Sequence, residues 1–301
     1  MTPETGELLQ KKIKELGNLP AMPSILQSLG ECLSGSPSDV NIDRVVSLIS
    51  YDKSLAAQCL RMANSAFFRR RVEVETVRGA VLALGMWRVR DIVYSCTLPG
   101  MFSHSGQGMD AGTFWRHALG TAFVSQHFAQ RLAMPNTEKL YLAGLLHDMG
   151  ILVNALLFKE EFHRALDLAQ STETPLEEVE QEVLGFNHSD SGRVLADIWR
   201  LPADVTGAIE LHHHPSNGDP DPDVTAVIHL ADVLCRMRGL GYGYYEAREF
   251  YLAAEPAWQW LQGKYPAAAE LDLARFTFEL DTYAAEVQRM VDAIFAVGAK
   301  A

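Results

Sequence analysis

The stretch Leu142-Ala143-Gly144-Leu145-Leu146-His147-Asp148-Met149-Gly150-Ile151-Leu152 sets a histidine and an aspartate side by side inside an apolar run. Apolar positions recur at Ala143, Leu146, Gly150 and Val153, the spacing of a buried helical face. Charged groups are seldom buried unless they are paired or hold a metal. Neighbouring helix residues point about 100° apart, so this dyad can straddle one ion or hold two. Taken alone, it reads more simply as a hydrogen-bonded core pair. The other histidines change the balance. His117 lies on the preceding helical segment and His188 at the start of a later one. His212-His213-His214 end the next, and Asp232 lies within Ile228-His229-Leu230-Ala231-Asp232. Each comes from a separate predicted helix, and helical bundles build metal sites from side chains on facing helices.

The order His, His-Asp, His, His-His, Asp on successive helices resembles the HD superfamily of metal-dependent phosphohydrolases. Within it, the chain is most similar to the HDOD output domain of bacterial signalling proteins, a relative of the HD-GYP cyclic-di-GMP phosphodiesterases. The similarity begins at Leu19-Pro20-Ala21-Met22-Pro23. It continues through Ile49-Ser50-Tyr51-Asp52, Leu60-Arg61-Met62-Ala63-Asn64-Ser65 and Ala80-Val81-Leu82-Ala83-Leu84-Gly85 to Ile209-Glu210-Leu211-His212-His213-His214-Pro215. The resemblance implies one metal held by His117, His147, Asp148 and Asp232. It implies a second held by His188, His212, His213 and a bridging Asp148. Mixed imidazole and carboxylate ligands suit Fe, Mn, Zn or Ni better than Ca or Mg, so one or two divalent transition ions are expected. Two ions sharing a carboxylate would acidify a bridging water and clamp a phosphate oxygen.

The chain departs from the phosphodiesterase pattern where that pattern faces substrate. Ile151 stands in place of a lysine three residues after the dyad's aspartate, and His214 in place of a glutamate. Pro215-Ser216-Asn217-Gly218-Asp219 replaces the Gly-Tyr-Pro loop, and Thr113 replaces an extra glutamate ligand. Two functional readings follow. One is a signal-transduction output module with an HD-type metal site and no turnover, acting on a signalling protein partner. The other is a metal-dependent phosphohydrolase acting on a nucleotide or cyclic dinucleotide. The retained ligands favour the second and the lost substrate-facing groups the first, which we take as the expectation, with no catalytic residue assigned.

Composition sets outer limits. A net charge of −12 argues against nucleic acid as an obligate partner, because phosphate binding needs a basic surface. Cys32, Cys59, Cys96 and Cys235 are far apart and read as free thiols in a reducing cytoplasm. No apolar run is read as reaching the ~18 residues of a membrane span, and the N-terminus lacks a signal-peptide core. The oligomeric state is not legible.

Helical periodicity runs throughout, with no alternating stretch long enough for a sheet. The expected fold is all-α: an N-terminal helical bundle packed on an HD-like helical core. A short helix is expected over residues 4–16, with Leu9, Ile13 and Leu16 on one stripe. Asp52 and Thr76 are read as N-caps. Pro99 to Gly112 is the best candidate boundary, giving an N-terminal subdomain over 1–99 and a core over 100–238. A C-terminal extension over 239–301 opens on a Gly239-Leu240-Gly241-Tyr242-Gly243 hinge and carries an apolar stripe at Phe276, Leu280, Tyr283, Val287, Met290 and Ile294. Trp87, Trp115 and Trp199 are expected in the core and Glu210 at the surface. His127 and His163 are read as surface or hydrogen-bonded helix residues. His104 and Arg69-Arg70-Arg71 are read as solvated, Asn64-Ser65 as a helix C-terminal cap or interface element, and His229 as a candidate for orienting a ligand.

Overall fold

The computed structural model describes residues 6, 9–13, 19–33, 41–65, 67–68, 73–102, 110–242 and 251–298, without the side chains of 293 and 295–298. Among these residues every regular element is a helix, as the periodicity predicts. The chain forms two compact units. One comprises Pro20–Ser103 and Ala285–Ala301, the other Met1–Leu19 and His104–Ala284. The three spans 1–99, 100–238 and 239–301 are therefore cut differently by the packing. The chain's first residues and most of its last stretch join the unit that holds the histidines.

In the first unit, α1 (Ser24–Leu33), α2 (Ile42–Tyr51), α3 (Lys53–Ala63), α4 (Val77–Leu84) and α5 (Met86–Met101) pack around Val45, Ile49, Leu55, Cys59, Met62, Val77 and Val81. Polar residues set the helix ends by satisfying amides that have no intrahelical partner. The Asp52 carboxylate accepts from the amides of Ser54 and Leu55 at 2.8 and 3.0 Å, and Thr76 Oγ1 from that of Gly79 at 3.0 Å. Asn64 closes α3. Its amide group donates to the carbonyls of Leu60 (3.0 Å) and Val74 (2.9 Å), and its oxygen accepts from the Val74 amide at 2.9 Å. The signature asparagine is thus a clamp between the end of α3 and the approach to α4.

Two expectations for this region are corrected. Helix α5 runs through Pro99 to Met101, so the break comes slightly later than the proline suggests. Trp87 is 39% exposed rather than core. It lies in the first turn of α5, where the Arg90 guanidinium covers its ring at 4.8 Å. Trp115 and Trp199 are buried as expected. Residues 69–71, His104 and Leu16 lie outside the described residues, while Leu9 and Ile13 are buried.

The second unit contains α6 (Ala111–Arg131), α7 (Glu138–Leu146), α8 (Met149–Leu157), α9 (Lys159–Thr172), α10 (Leu176–Leu184), α11 (His188–Trp199), α12 (Ala203–Leu211), α13 (Pro222–Met237), α14 (Pro256–Lys264), α15 (Pro266–Ala269) and the first part of α16 (Leu273–Gly298). Helix α6 packs on α7 and α13, α8 on α11, and α12 on α11 and α7. The stripe on α16 is apolar as predicted, with Phe276 and Leu280 buried in the part that belongs to this unit and Val287 and Met290 buried in the part that belongs to the first.

The segment Glu138–Leu157 corrects the reading that no run is long enough for a membrane. By length and composition it could cross one, but 89% of its apolar window is buried inside the fold. It is also not one uninterrupted helix. His147 and Asp148 form the turn between α7 and α8, with Asp148 at φ −103°, ψ 13°. Two glycines let neighbouring backbones close in on this turn. A Cβ on Gly144 would lie 2.8 Å from the Ala122 Cα of α6. A Cβ on Gly150 would lie 1.7 Å from the His188 carbonyl oxygen and 2.6 Å from the Gly192 amide nitrogen of α11. Only glycine permits these approaches, and they bring His117 and His188 to the dyad from opposite sides.

Candidate metal centre

All seven ligand-type residues converge. His117, His147, Asp148 and Asp232 place one donor atom each within 4.8 Å of one another, and Asp148, His188, His212 and His213 do the same. Asp148 belongs to both groups and faces each with a different oxygen. Its Oδ2 lies 3.0 Å from His147 Nε2 and 3.7 Å from His117 Nε2. Its Oδ1 lies 3.2 Å from His212 Nε2 and 3.4 Å from His188 Nε2. Asp232 Oδ1 is 3.1 Å from His117 Nε2. Six of the seven residues are at most 4% exposed, and only His213 is half-buried.

The rings are held from behind. A carbonyl oxygen only accepts, so each Nδ1 facing one must carry the proton. His117 Nδ1 donates to the Leu240 carbonyl at 2.7 Å, His147 Nδ1 to Gly144 at 2.8 Å and His212 Nδ1 to Ile209 at 2.9 Å. With Nδ1 engaged in this way, each ring turns Nε2 toward the common centre, the arrangement by which proteins orient a metal-binding imidazole. His188 is held by a carboxylate instead. Glu180 Oε2 accepts from His188 Nδ1 at 2.6 Å and from its amide at 2.8 Å. Asn154 Nδ2 donates to Glu180 Oε1 at 2.9 Å, and Ser191 Oγ to Asn154 Oδ1 at 2.6 Å. Arg236 pairs with Asp232, and the Tyr242 hydroxyl donates to Asp148 Oδ2 at 2.6 Å.

Charge follows from these contacts. Burial pushes the Asp148 carboxyl up, but His147, His212 and His188 outweigh it and hold it well below the usual carboxylate range. For Asp232, Arg236 and His117 likewise overcome burial. Burial lowers His188, yet Glu180 and then Asp148 raise it to about 9. Burial and the neighbouring imidazoles depress His212 and His213, the latter strongly. The 2.7 Å contact between His188 Nε2 and His213 Nε2 fits this order, with a protonated His188 donating to a neutral His213.

This donor set fits a transition ion. His147 Nε2, His212 Nε2 and Asp148 Oδ1 are buried without a hydrogen-bond partner. His212 Nε2 and Asp148 Oδ1 are 3.2 Å apart but not aligned to bond. Leaving a buried polar atom unsatisfied costs about 1–3 kcal/mol, and each of the three atoms sits where an ion held by its own donor group would engage it. Imidazole nitrogen with carboxylate oxygen is the chemistry of first-row ions.

Several supporting residues escape sequence reasoning. Glu180 sits in Leu176-Glu177-Glu178-Val179-Glu180, among acids that look solvated. Its signal is positional, because Leu176, Val179 and Glu180 share the inward i, i+3, i+4 face and all are buried. Leu240 and Tyr242, read as part of a hinge, instead line the cluster. His229 acts on backbone rather than on a ring: its Nδ1 donates to the His212 carbonyl at 2.7 Å. Glu210, expected at the surface, is half-buried and paired with Arg193. His127 is half-buried and lies 3.4 Å from a Glu279 oxygen. Ile151 is fully buried.

The sequence matches the HDOD domain family over residues 19–215. The chain belongs to that family. Its fold is similar to an HDOD domain protein of unknown function from Geobacter sulfurreducens, with a TM-score of 0.81 at 26% identity over 96% of this chain and 98% of that one. A protein from Shewanella amazonensis SB2B, provisionally named a phosphohydrolase, has a TM-score of 0.72 at 23% identity over 95% and 97% of the two chains. One from Marinobacter aquaeolei VT8, provisionally named a signal transduction protein, has a TM-score of 0.66 at 25% identity over 93% of this chain and 59% of that one. An uncharacterised Treponema pallidum protein is 24% identical over 216 residues, 70% of this HDOD chain. The chain spans 40% of that relative's length.

Proposed function

We propose that this HDOD chain is a bacterial signalling output module whose His/Asp cluster binds one or two divalent transition ions in a structural or regulatory role, without turnover. The observation that carries this reading is closure. Every donor residue except His213 is buried, and the Tyr242 hydroxyl rests on the shared carboxylate. The Tyr242 ring covers the Oδ2 side of that carboxylate, and the apolar Ile151 offers no charge to a phosphate ester. His117, His147, Asp148 and Asp232 would hold one ion, and Asp148, His188, His212 and His213 the other. A bound ion contributes folding energy by mass action and could polarise a phosphate oxygen. The chain's own groups do the positioning, with the carbonyls of Leu240, Gly144 and Ile209 and the Glu180 carboxylate setting the ring orientations. Four free cysteines support a reducing compartment. The name borne by the Marinobacter protein agrees with a role in signal transduction, and a signalling protein as partner belongs to the proposal.

One observation favours a second reading, a phosphohydrolase of nucleotides or cyclic dinucleotides. A single carboxylate addresses the two donor groups through its two oxygens, the arrangement of two-ion hydrolases. Metal analysis of protein purified without an affinity tag, with hydrolysis assays on a panel of nucleotides and cyclic dinucleotides, separates the two. We expect bound Fe, Mn, Zn or Ni, and loss of both metal and thermal stability in Asp148→Ala, with no turnover in either protein. Multiple turnovers by the wild type that vanish in Asp148→Ala would establish the hydrolase instead.

A further inference from the structure

Just past α13, Leu240 and Tyr242 lie against the cluster. Leu240 is 4% exposed and its carbonyl accepts from His117 Nδ1 at 2.7 Å. Two residues on, Tyr242 puts its ring 4.4 Å from that of His117 and stacks on Phe114 at 5.6 Å. Its hydroxyl donates to Asp148 Oδ2 at 2.6 Å. This short segment therefore touches two members of the group His117, His147, Asp148 and Asp232 through three separate contacts. None of these three contacts is made to His188, His212 or His213.

We propose that Tyr242 is a positioning residue for the ion of the first group, and that through it the site and the segment Gly239–Tyr242 hold one another in place. This rests on the metal reading of the cluster. A carboxylate oxygen has two lone-pair directions, so Oδ2 can accept from Tyr242 and still offer an electron pair to an ion. The hydrogen bond removes the freedom of the carboxylate to rotate about its last torsion, while Leu240 does the same for the His117 ring. Hydrogen-bond partners that orient metal ligands contribute about ten- to a hundredfold in affinity. The coupling is reciprocal, since whatever the segment adds to ion binding, the ion adds to the ordering of the segment.

The test titrates chelator-treated, untagged full-length protein with Mn(II) and follows binding calorimetrically, with amide exchange at Gly239–Tyr242 measured before and after loading. Tyr242→Phe keeps the ring and removes only the hydroxyl. It is expected to weaken Mn(II) binding about ten- to a hundredfold and to lower the melting temperature of the chelator-treated protein only modestly, through the donor lost from Asp148. Loading should slow exchange at Gly239–Tyr242 in the wild type more than in Tyr242→Phe. As a control, Tyr265→Phe removes a hydroxyl bonded to Asp223 in the same unit; it should leave Mn(II) affinity alone. Wild-type affinity in Tyr242→Phe overturns the proposal and leaves the metal reading standing. Wild-type affinity in Tyr242→Phe with weak binding in Tyr242→Ala also overturns it, because ring packing would then be the cause. Absence of Mn(II), Fe(II), Zn(II) and Ni(II) binding in the wild type overturns the metal reading, and the proposal with it.

Discussion

The two donor groups share Asp148 but are built differently. In the first, His117, His147, Asp148 and Asp232 are all buried, and the supports behind them are two backbone carbonyls, the Arg236 guanidinium and the Tyr242 hydroxyl. In the second, His213 is half-buried and His188 leans on a buried carboxylate, Glu180, that is itself held by Asn154. Gly144 sits inside α7 while Leu240 follows the end of α13, and in the second group His212 likewise leans on a backbone carbonyl, that of Ile209 in α12. A chain of side chains keeps its geometry only while every member is present. The second group accordingly depends on more side chains behind its ligands, and it holds the half-buried ligand, His213.

The harshest way to break the comparison is to separate the groups. Gly150→Ala would force a methyl onto the His188 carbonyl, which stands 1.7 Å from the added atom. Helix α8 would have to move off α11, carrying Asp148 away from His188. Overpacking commonly costs about 1–3 kcal/mol and sometimes more; with backbone as the obstacle, we expect about 3 kcal/mol or more. A chemical denaturation curve reads this directly. A variant as stable as the wild type would mean that α8 and α11 do not approach as described.

A gentler comparison removes one member from each group. Asp232→Ala deletes an anion from the closed group, and with it the carboxylate that Arg236 pairs with. His213→Ala deletes a neutral, half-buried imidazole from the open one. Metal content should fall further in Asp232→Ala, by one ion in a two-ion protein, with a larger drop in melting temperature. His213→Ala should keep the first group's ion, because water can enter the place of the lost ring. Equal losses in the two variants would show that the cluster binds as a single unit and that the asymmetry has no energetic content.

Much of this site was legible in the chain, for a physical reason. Histidine and aspartate are conspicuous where an apolar helical face is expected, so His117, His147, Asp148 and Asp232 announce themselves against Leu, Ala and Val. The all-α fold follows from the same periodicity, and the Asp52 and Thr76 caps from local hydrogen-bonding chemistry. The supporting residues were harder to see because their setting disguises them. Glu180 stands in an acidic stretch, where burial of one acid among several shows only in phase. Tyr242 lies between glycines, whose composition signals a turn whether or not the turn packs on anything. The break at His147-Asp148 left no sequence mark, since neither glycine nor proline interrupts the two helices there. The division of the C-terminal stretch between the two units, at Ala284 within α16, depends on contacts between distant segments, which periodicity cannot report.

The finest test addresses the side-chain relay behind His188. Glu180 accepts three hydrogen bonds, two from His188 and one from Asn154, and is fully buried. Glu180→Gln keeps the shape and replaces one acceptor oxygen with a donor. That donor would meet Asn154 Nδ2, but Asn154 can reverse its amide. Its oxygen would then accept from the NH2 of the substituted side chain, and its own NH2 would donate to Ser191 Oγ. The flip leaves the buried Ser191 hydroxyl hydrogen without the Asn154 oxygen it donated to, so a loss of stability of about 1–3 kcal/mol is expected. Also lost is the charge behind the imidazole, which makes a histidine a stronger ligand. Affinity of the second group should fall by about tenfold, the lower end of what such partners contribute, while the first group binds as in the wild type. Calorimetric titration with Mn(II) resolves this if the two groups load separately. A loss confined to the first group would reverse the assignment of supports. A loss shared equally would mean that Asp148 transmits the change from one oxygen to the other.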